Sequence, residues 1–304
     1  MRNLQIKVAV FTLLLLVALG VAVFHAGAPF KEPGAGEGPE NKNRSLPGEP
    51  KEYAGGLPWE EDPEFLQALE TYDTPRLMAQ FKAELKNPFY GELANVKLAA
   101  ETLKGTVVKP GEIFSQNQTL GPYTREKGYQ VGPMFVGTRL TESIGGGVCK
   151  IATLLYNAAV LANLEVVERH HHSMPVTYVS PGQDATVAYG IKDLKFKNTT
   201  PDNILIWAGT VGNVAYIGFY GKTEPPKVTW EHRILQEVPF QTVYRDDPTL
   251  PLGEEKILVD GLNGCLVETE LHIDYPDGRR EVRHLGKSWY HPMPQLILRG
   301  TGKE

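Results

Sequence analysis

The feature that most constrains this chain is a glycine-rich turn that leads directly into an apolar helix. Three glycines, Gly145, Gly146 and Gly147, precede Val148 and Cys149, and an almost uncharged apolar run comes next. Glycine permits a sharp turn and the close approach of another molecule. A cysteine in the first turn of a helix lies near unpaired N–H groups and the positive end of the helix dipole, which stabilise a thiolate. The pattern predicts a nucleophile, Cys149, beside an oxyanion site formed by backbone N–H groups of Gly146, Gly147 and Val148.

Two other interpretations of Cys149 stay open at this point. Free cysteine is often a small core residue, so the glycine turn could simply precede a buried thiol. The chain has only two cysteines, too few for a disulfide framework. A single bridge between Cys149 and Cys265 would still be possible in an oxidising compartment. A cysteine that opens a helix after three glycines is better placed to react than to form that bridge.

The N-terminal segment predicts export from the cytoplasm. Arg2 and Lys7 precede an uncharged apolar run over residues 8–24. Its length is near the lower limit for spanning a bilayer and also fits a signal peptide. We expect a signal-anchor or signal peptide over residues 1–28, with the body of the chain outside the cytoplasm because the positive residues stay inside. The predicted location is the cell membrane with one N-terminal anchor, or the exterior if the segment is cleaved.

Composition divides the remainder into four segments. Residues 29–60 are rich in Pro, Gly, Glu, Lys and Asn and predict a flexible linker. Residues 61–88 predict a helical extension made of two short amphipathic helices. Residues 89–222 combine one long apolar helix with many short strands, which indicates an α+β fold. Residues 223–304 alternate charged and apolar positions between turn signals and predict a small all-β C-terminal unit without catalytic residues.

The predicted strands of residues 89–222 surround the helix that begins at the glycine motif. We expect this helix to be central and buried because it is apolar on nearly all sides. It should pack on a multistranded, largely antiparallel sheet. The predicted strands include residues 106–108, 164–169, 176–179, 185–189, 204–210 and 213–220.

Histidines downstream of the glycine motif supply the base that a thiol needs. Residues 170–172 are three consecutive histidines, and adjacent residues of an extended chain point in opposite directions, so at most two can face one site. Asp184 or Asp193 could orient an imidazole as a third member. Cys149 with two histidines could instead bind zinc, but no Cys-x-x-Cys or His-x-x-x-His spacing supports that alternative. We therefore expect neither a metal nor a cofactor, and the net charge of −5 does not suggest a nucleic-acid partner.

Several motifs of this chain occur together in a known family. They are Gly145-Gly146-Gly147-Val148-Cys149, Thr153-Leu154-Leu155-Tyr156-Asn157-Ala158, Glu168-Arg169-His170-His171-His172-Ser173, Pro110-Gly111-Glu112-Ile113-Phe114-Ser115, Asp184-Ala185-Thr186-Val187, and Asp193 with Phe196 and Asn198. Their order and spacing resemble the VanW domain over roughly residues 90 to 210. VanW proteins are named after accessory genes of glycopeptide (vancomycin) resistance in bacteria. The resemblance implies peptidoglycan L,D-transpeptidase activity, with Cys149 as the nucleophile and His172 as the family histidine that precedes a serine. The segment that ends at Tyr290-His291-Pro292-Met293-Pro294 resembles the region found C-terminal to VanW domains.

The chain departs from the family pattern directly beside the predicted nucleophile. Lys150 stands where the family usually has glutamine, and Ala152 stands where a hydroxyl residue is common. A lysine next to a thiol would help to ionise it. The change is therefore compatible with chemistry at Cys149 and could alter the acceptor.

The residues and the resemblance together predict an extracytoplasmic, cysteine-dependent L,D-transpeptidase that acts on peptidoglycan stem peptides through a thioester. One alternative is a non-enzymatic, membrane-tethered envelope protein that binds cell-wall peptides or a partner, as a glycopeptide-resistance accessory would. Another is a cysteine peptidase or amidase that uses the same residues. The predicted catalytic residues are Cys149, His172 and Asp184, and the predicted substrate-binding residues are Lys150, Arg169, Ser173 and Tyr123.

Overall fold

The computed structural model describes residues 56–86, 88, 90–136 and 139–302. The predicted signal segment and most of the predicted linker lie outside these residues. The described part of the chain contains no helix with the length and apolar character needed to cross a bilayer. Its helices and antiparallel sheets confirm the α+β class.

The helices are α1 (Pro63–Tyr72), α2 (Tyr90–Leu103), α3 (Gln116–Leu120) and α4 (Cys149–Leu161), with a short 3-10 turn at Arg125–Lys127. The strands up to residue 221 are β1 (Arg76–Glu84), β2 (Thr106–Val108), β3 (Ile113–Ser115), β4 (Val131–Val136), β5 (Arg139–Ile144), β6 (Glu165–Glu168), β7 (Lys195–Lys197), β8 (Ile204–Val211) and β9 (Val214–Gly221). The strands beyond residue 221 are β10 (Lys227–Val238), β11 (Thr242–Pro251), β12 (Glu255–Val259), β13 (Gly264–Asp274), β14 (Arg280–Tyr290) and β15 (Gln295–Gly302).

A four-stranded antiparallel sheet in the order β1-β9-β8-β2 carries helices on both faces. Side chains alternate across a strand, and β8 shows the consequence. Ile204 and Ile206 join the large core formed with α2 and α4, whereas Leu205 and Trp207 join a smaller cluster with Phe65 of α1. The sheet thereby fixes α4, whose residues 151–160 are all buried.

One predicted helix is wrong. The segment after Thr74 was expected to be the second amphipathic helix of residues 61–88, but it forms strand β1 and pairs with β9. Ala79, Phe81 and Ala83 are buried at every second position, which is the strand period. A bulge at the start of β1 shifts this register, so the apolar positions also fit a helical spacing and the sequence pattern was ambiguous.

The predicted strands over residues 176–179 and 185–189 are also wrong, apart from an isolated bridge at Ala188. At the start of the second segment, side chains of α4 bind the backbone in place of a neighbouring strand. The Thr153 hydroxyl donates to Ala185 O at 3.2 Å and accepts from Ala185 N at 3.0 Å. The Asn157 amide donates to Gln183 O at 2.8 Å. These bonds hold residues 183–185 against the helix in an extended, non-ladder conformation.

The C-terminal unit is all-β, as predicted, and contains two three-stranded sheets. One has the order β10-β13-β14 and is antiparallel, and the other has the order β11-β15-β12 with β11 and β15 parallel. Trp230 of β10 packs edge-to-face on Tyr156 of α4, with ring centroids 5.7 Å apart. Leu271 and Ile273 of β13 belong to the large core. The first of these sheets is therefore packed on the helix that begins at Cys149.

Candidate active site

The glycine turn needs glycine at each of its three positions. Gly145 and Gly147 have φ of 81° and 106°, in the left-handed region that other residues rarely adopt. A Cβ on Gly146 would lie 2.3 Å from the carbonyl carbon of Gly132 on β4. The turn therefore combines an unusual backbone path with direct backbone packing, which fixes the start of α4.

Asn95 of α2 holds this turn in place and was not identified from the sequence. Its amide nitrogen donates to Gly146 O and to Gln130 O, each at 2.9 Å, and its oxygen accepts from Gln130 N at 2.7 Å. The side chain is fully buried. A lone asparagine in an amphipathic helix carries no sequence signal for such a role.

Cys149 is the first residue of α4, and its half-buried thiol faces three partners. The sulfur lies 3.3 Å from the Thr186 hydroxyl and 3.6 Å from Val187 O. The third is the imidazole of His172, which lies close enough to lower the pKa of the thiol through hydrogen bonding and charge. Both cysteines are free thiols, so the alternative bridge to Cys265 is not formed.

His172 is oriented by Asp184. The imidazole Nδ1 lies 2.6 Å from Asp184 Oδ2, and the backbone N–H of His172 donates to the same oxygen at 2.7 Å. This contact leaves Nε2 as the ring nitrogen for the thiol. The carboxyl group of Asp184 is fully buried. The structure thus brings Cys149, His172 and Asp184 together in the order nucleophile, base and orienting carboxylate.

The electrostatics of the three groups favour a thiolate–imidazolium pair. Burial raises the pKa of the Cys149 thiol, but the hydrogen bond and charge of His172 outweigh burial and lower this pKa to about 7. Burial lowers the pKa of His172, but Asp184 and Cys149 raise it to about 9. Burial likewise opposes ionisation of Asp184, yet His172 and Arg169 lower its pKa to about 2. Between pH 7 and 9 the pair is therefore largely ionised.

The other predicted partners of the thiol lie elsewhere. His170 contacts Glu168, with Nε2 3.0 Å from Oε1. His171 packs against the ring of Tyr290. Asp193, the alternative orienting residue, accepts from the Ser115 hydroxyl at 2.6 Å and does not bind an imidazole. Of the three histidines, His172 alone reaches the thiol. This agrees with the expectation that at most two adjacent side chains of an extended segment can face one site.

The predicted oxyanion donors need revision. Gly146 N donates to Ser143 O at 3.1 Å, and Val148 N donates to Gly145 O at 3.2 Å, so both groups are already engaged in the turn. Within the described residues, the N–H groups of Gly147 and Cys149 have no hydrogen-bond acceptor. Of the predicted donors, only Gly147 keeps an available N–H, and Cys149 itself supplies the second.

Two of the predicted substrate-binding residues are engaged in other contacts. Lys150 forms an ion pair with the mostly buried Glu92 of α2 and lies over the ring of Tyr178, 5.0 Å from its centre. Its charge is compensated there, and the charge that lowers the pKa of Cys149 comes from His172. Arg169 donates to Asp184 O and Oδ1 at 2.8 and 3.0 Å. It supports the orienting carboxylate, and its predicted contact with substrate stays a prediction.

Tyr123 and Ser173 flank the thiol region. Tyr123 packs edge-to-face on Tyr129 and on the exposed Tyr189, and its hydroxyl donates to Asn117 Oδ1 at 3.2 Å. Burial raises the pKa of Tyr123, to which the charge of Cys149 also contributes. Ser173 is exposed directly after His172, and its carbonyl accepts from His291 N at 2.8 Å. The structure places both residues beside the site, and their binding of substrate stays a prediction.

Thr186 is a site residue that belongs to one of the sequence motifs but had no predicted role. Its hydroxyl contacts the sulfur, and its backbone N–H donates to His170 O at 2.8 Å. The available signal was its position two residues after Asp184. Residues 184 and 186 of an extended segment lie on the same side. If Asp184 faces the site, Thr186 is therefore expected to face it as well.

Two family models match the chain. Residues 91–220 match the family described as VanW like protein, and residues 231–302 match the G5 domain. A G5 domain structure of IgA1 protease aligns with a TM-score of 0.17 and 20% identity, covering 27% of this chain and 100% of that chain. A score this low does not support a structural comparison.

Two curated proteins are similar to the chain. The uncharacterized protein YoaR of Bacillus subtilis (strain 168) is 37% identical over 159 residues, which is 52% of this chain and 51% of YoaR. The vancomycin B-type resistance protein VanW of Enterococcus faecalis is 31% identical over 142 residues, which is 45% of this chain and 51% of that protein. The chain spans about half the length of these relatives. Residues 91–220, which carry Cys149, His172 and Asp184, are therefore similar to VanW proteins, and residues 231–302, called the G5 domain below, are similar to G5 domains.

Proposed function

We propose that the chain is a cysteine-dependent peptidoglycan L,D-transpeptidase that works outside the cytoplasm. The observation that carries the proposal is the contact of a helix-terminal thiol with an imidazole whose other nitrogen is held by a buried carboxylate. The combination of VanW-like and G5 domains supports an extracellular protein associated with the cell wall. Anchoring through residues 1–28 is part of the same proposal.

The first half of the reaction would form a thioester. The Cys149 thiolate attacks the carbonyl carbon of the amide bond between an L-centre and the terminal D-residue of a stem peptide. A C–S bond forms, and the oxyanion of the tetrahedral intermediate accepts hydrogen bonds from the N–H groups of Gly147 and Cys149. The intermediate collapses as the C–N bond breaks and the His172 imidazolium gives its proton to the leaving amine.

The second half would transfer the acyl group. An amine of a neighbouring stem peptide attacks the thioester carbonyl, and neutral His172 accepts the proton of that amine. A new amide bond forms, the C–S bond breaks, and the thiolate and imidazolium are restored. Asp184 keeps the ring in place through both halves and stabilises its charged form. With water as the acceptor the same steps give a trimmed peptide and correspond to the peptidase alternative.

The substrate groove would run past the aromatic side chains near the thiol. Tyr123 lies beside Cys149, and the exposed Tyr189 extends from it towards solvent. Tyrosines packed edge-to-face offer an apolar wall with hydroxyl groups that can bind peptide amides. The exposed side chain of Ser173, directly after the base His172, is the proposed polar contact for the stem peptide.

The test combines products and covalent trapping. Purified full-length chain is incubated with disaccharide-tetrapeptide muropeptides, and the products are analysed by mass spectrometry. We expect cross-linked dimers with the wild type and with Cys265→Ala, and none with Cys149→Ala. In parallel, a carbapenem should add once to the wild type and not to Cys149→Ala.

The remaining outcomes discriminate between the alternatives. Trimmed peptides without dimers would replace the transpeptidase by a peptidase or amidase. Absence of both product and adduct, with muropeptide binding that is equal in the wild type and Cys149→Ala, would overturn the enzyme proposal. That result would favour the non-enzymatic envelope protein.

A further inference from the structure

The side chain that completes the site comes from the G5 domain. Tyr290 is the last residue of β14 and is almost fully buried. Its hydroxyl donates to Asp184 Oδ1 at 2.5 Å and accepts from Gly182 N at 2.8 Å. A residue of the C-terminal unit, for which the sequence predicted no catalytic role, thus touches the orienting carboxylate of the VanW-like domain.

The four donors to Asp184 divide evenly between its two oxygens. Oδ2 receives the backbone N–H and the ring Nδ1 of His172, while Oδ1 receives Arg169 Nη2 and the Tyr290 hydroxyl. Rotation of the carboxyl group would break at least two of these bonds. The pair on Oδ1 therefore determines where Oδ2 lies, and Oδ2 determines where the imidazole lies.

Other contacts bind the same loop to the G5 domain. Arg169 Nη1 donates to the Ser288 hydroxyl at 3.4 Å, and His291 N donates to Ser173 O at 2.8 Å. The ring of His171 packs on Tyr290, with centroids 5.1 Å apart. The segment from residue 169 to 173, which carries the base, is therefore held from one side by the end of β14.

We propose that Tyr290 is a positioning residue, through which the G5 domain holds Asp184 in the orientation that the base His172 requires. The inference rests on the proposed function of Cys149 and His172. It means that the VanW-like domain does not contain its complete site. The G5 domain supplies a side chain to the site in addition to any binding role of its own.

The ionisation of the surrounding groups suits this role. Burial and the negative charge of Asp184 raise the pKa of Tyr290, so its hydroxyl keeps the proton that it donates. Burial and the charge of Arg169 lower the pKa of the nearby His232 to about 4, so this ring adds no charge at neutral pH. The titratable or charged groups whose ionisation is coupled to the carboxylate are His172, Arg169, Tyr290, Tyr156, Tyr178 and Cys265.

The experiment compares two tyrosine variants of the full-length chain, Tyr290→Phe and Tyr275→Phe. Tyr275 lies just after β13 in the G5 domain, at the opposite end of the β13–β14 pair from Tyr290, and its hydroxyl donates to Glu281 at 2.8 Å. Each variant loses one hydroxyl-to-carboxylate bond. The readout is the rate of Cys149 alkylation by iodoacetamide against pH, which requires no peptidoglycan substrate.

For Tyr290→Phe we expect the midpoint of the alkylation profile to rise by about half to one pH unit, the size of one lost hydrogen bond. A loosened Asp184 binds Nδ1 less well, so His172 loses basicity and stabilises the thiolate less. Tyr275→Phe should superimpose on the wild type. Identical profiles for Tyr290→Phe and the wild type, both folded, would overturn the inference.

A double-mutant cycle with Asp184→Asn separates positioning from general destabilisation. If Tyr290 acts through Asp184, adding Tyr290→Phe to Asp184→Asn should cause no further rise of the midpoint. Additive rises would contradict the proposal. Because alkylation is independent of cross-linking, a shifted profile in a chain that makes no dimers would refute the proposed function alone.

Discussion

The two cysteines of this chain occupy opposite environments. Cys149 begins a helix, is half-buried, and faces an imidazole that lowers its pKa to about 7. Cys265 lies in strand β13 of the G5 domain, is only 4% exposed and packs with Val267 and Tyr290. Burial raises its pKa to about 11. Burial opposes ionisation of both thiols, so the presence of a charged partner is what distinguishes a reactive cysteine from a packing cysteine.

The largest expected difference between the two is in chemical reactivity. At pH 7 about half of Cys149 but only about one part in 10⁴ of Cys265 is thiolate, given these pKa values. The more basic thiolate of Cys265 is intrinsically the better nucleophile, which reduces the difference in rate below the ratio of the two thiolate fractions. We expect iodoacetamide to modify Cys149 at least about 10²-fold faster, as measured by peptide mass spectrometry over time. Equal rates of modification of Cys149 and Cys265 in the folded protein would contradict the proposed difference between the two environments.

Removing the imidazole should raise the pKa of Cys149 towards that of Cys265. In His172→Gln the midpoint of the alkylation profile should move from about 7 to about 9 or above, because burial then acts without the opposing imidazolium. A thiol reacts as its deprotonated form, so a higher pKa shifts the reaction to higher pH. His170→Gln, whose ring contacts Glu168, is the matched control and should keep the wild-type midpoint.

Substitution of Cys265 should lower the free energy of unfolding more than substitution of Cys149, the reverse of their order in reactivity. Cys265→Ala removes a buried sulfur from a small cluster and should lower the free energy of unfolding by about 1 kcal/mol, roughly a fivefold change in the folding equilibrium. Cys149→Ala removes a half-buried thiol from a site that is not optimised for packing, and we expect a change within about 0.5 kcal/mol. Urea denaturation of the two variants measures both. A larger loss for Cys149→Ala would show that its role is structural.

The smallest effect is expected at Thr186. Its hydroxyl contributes to lowering the pKa of Cys149 by a hydrogen bond. Thr186→Val keeps the shape of the side chain and should raise the alkylation midpoint by about half a unit, the value of one weak hydrogen bond. Thr186→Ser retains the hydroxyl and should restore the wild-type profile. A profile in Thr186→Val that equals the wild type would remove Thr186 from the site.

Local patterns were sufficient to predict much of the site. Cys149 at a helix start and the histidine cluster are signals within short stretches of sequence, and Asp184 came from a motif. The pattern for strand β1 failed because a bulge makes its apolar spacing fit two periods. The predicted strand over residues 185–189 is wrong because Ala185 is bonded to the Thr153 side chain and Thr186 N to His170 O, and β-propensity does not report such partners.

Long-range contributions could not be predicted. Tyr290 lies 106 residues from Asp184 along the chain, in another domain, and an isolated tyrosine in a strand is by default a packing residue. Lys150 is the reverse case, in which a local signal suggested a role that its tertiary contacts do not support. Its position beside the thiol in the sequence suggested a direct electrostatic role, but its partner Glu92 comes from a different helix. Both cases depend on tertiary contacts that have no local signature.

Helix α4 sets the spacing of the whole site. Cys149, Thr153 and Asn157 succeed one another at intervals of four residues, so they lie near one edge of the helix. The first supplies the thiol, and the other two hold the segment that carries Asp184. One extra residue between Cys149 and Thr153 would turn the thiol by about 100° relative to that segment. An insertion or deletion of a single residue between Cys149 and Asn157 would therefore separate the nucleophile from the segment that carries its carboxylate.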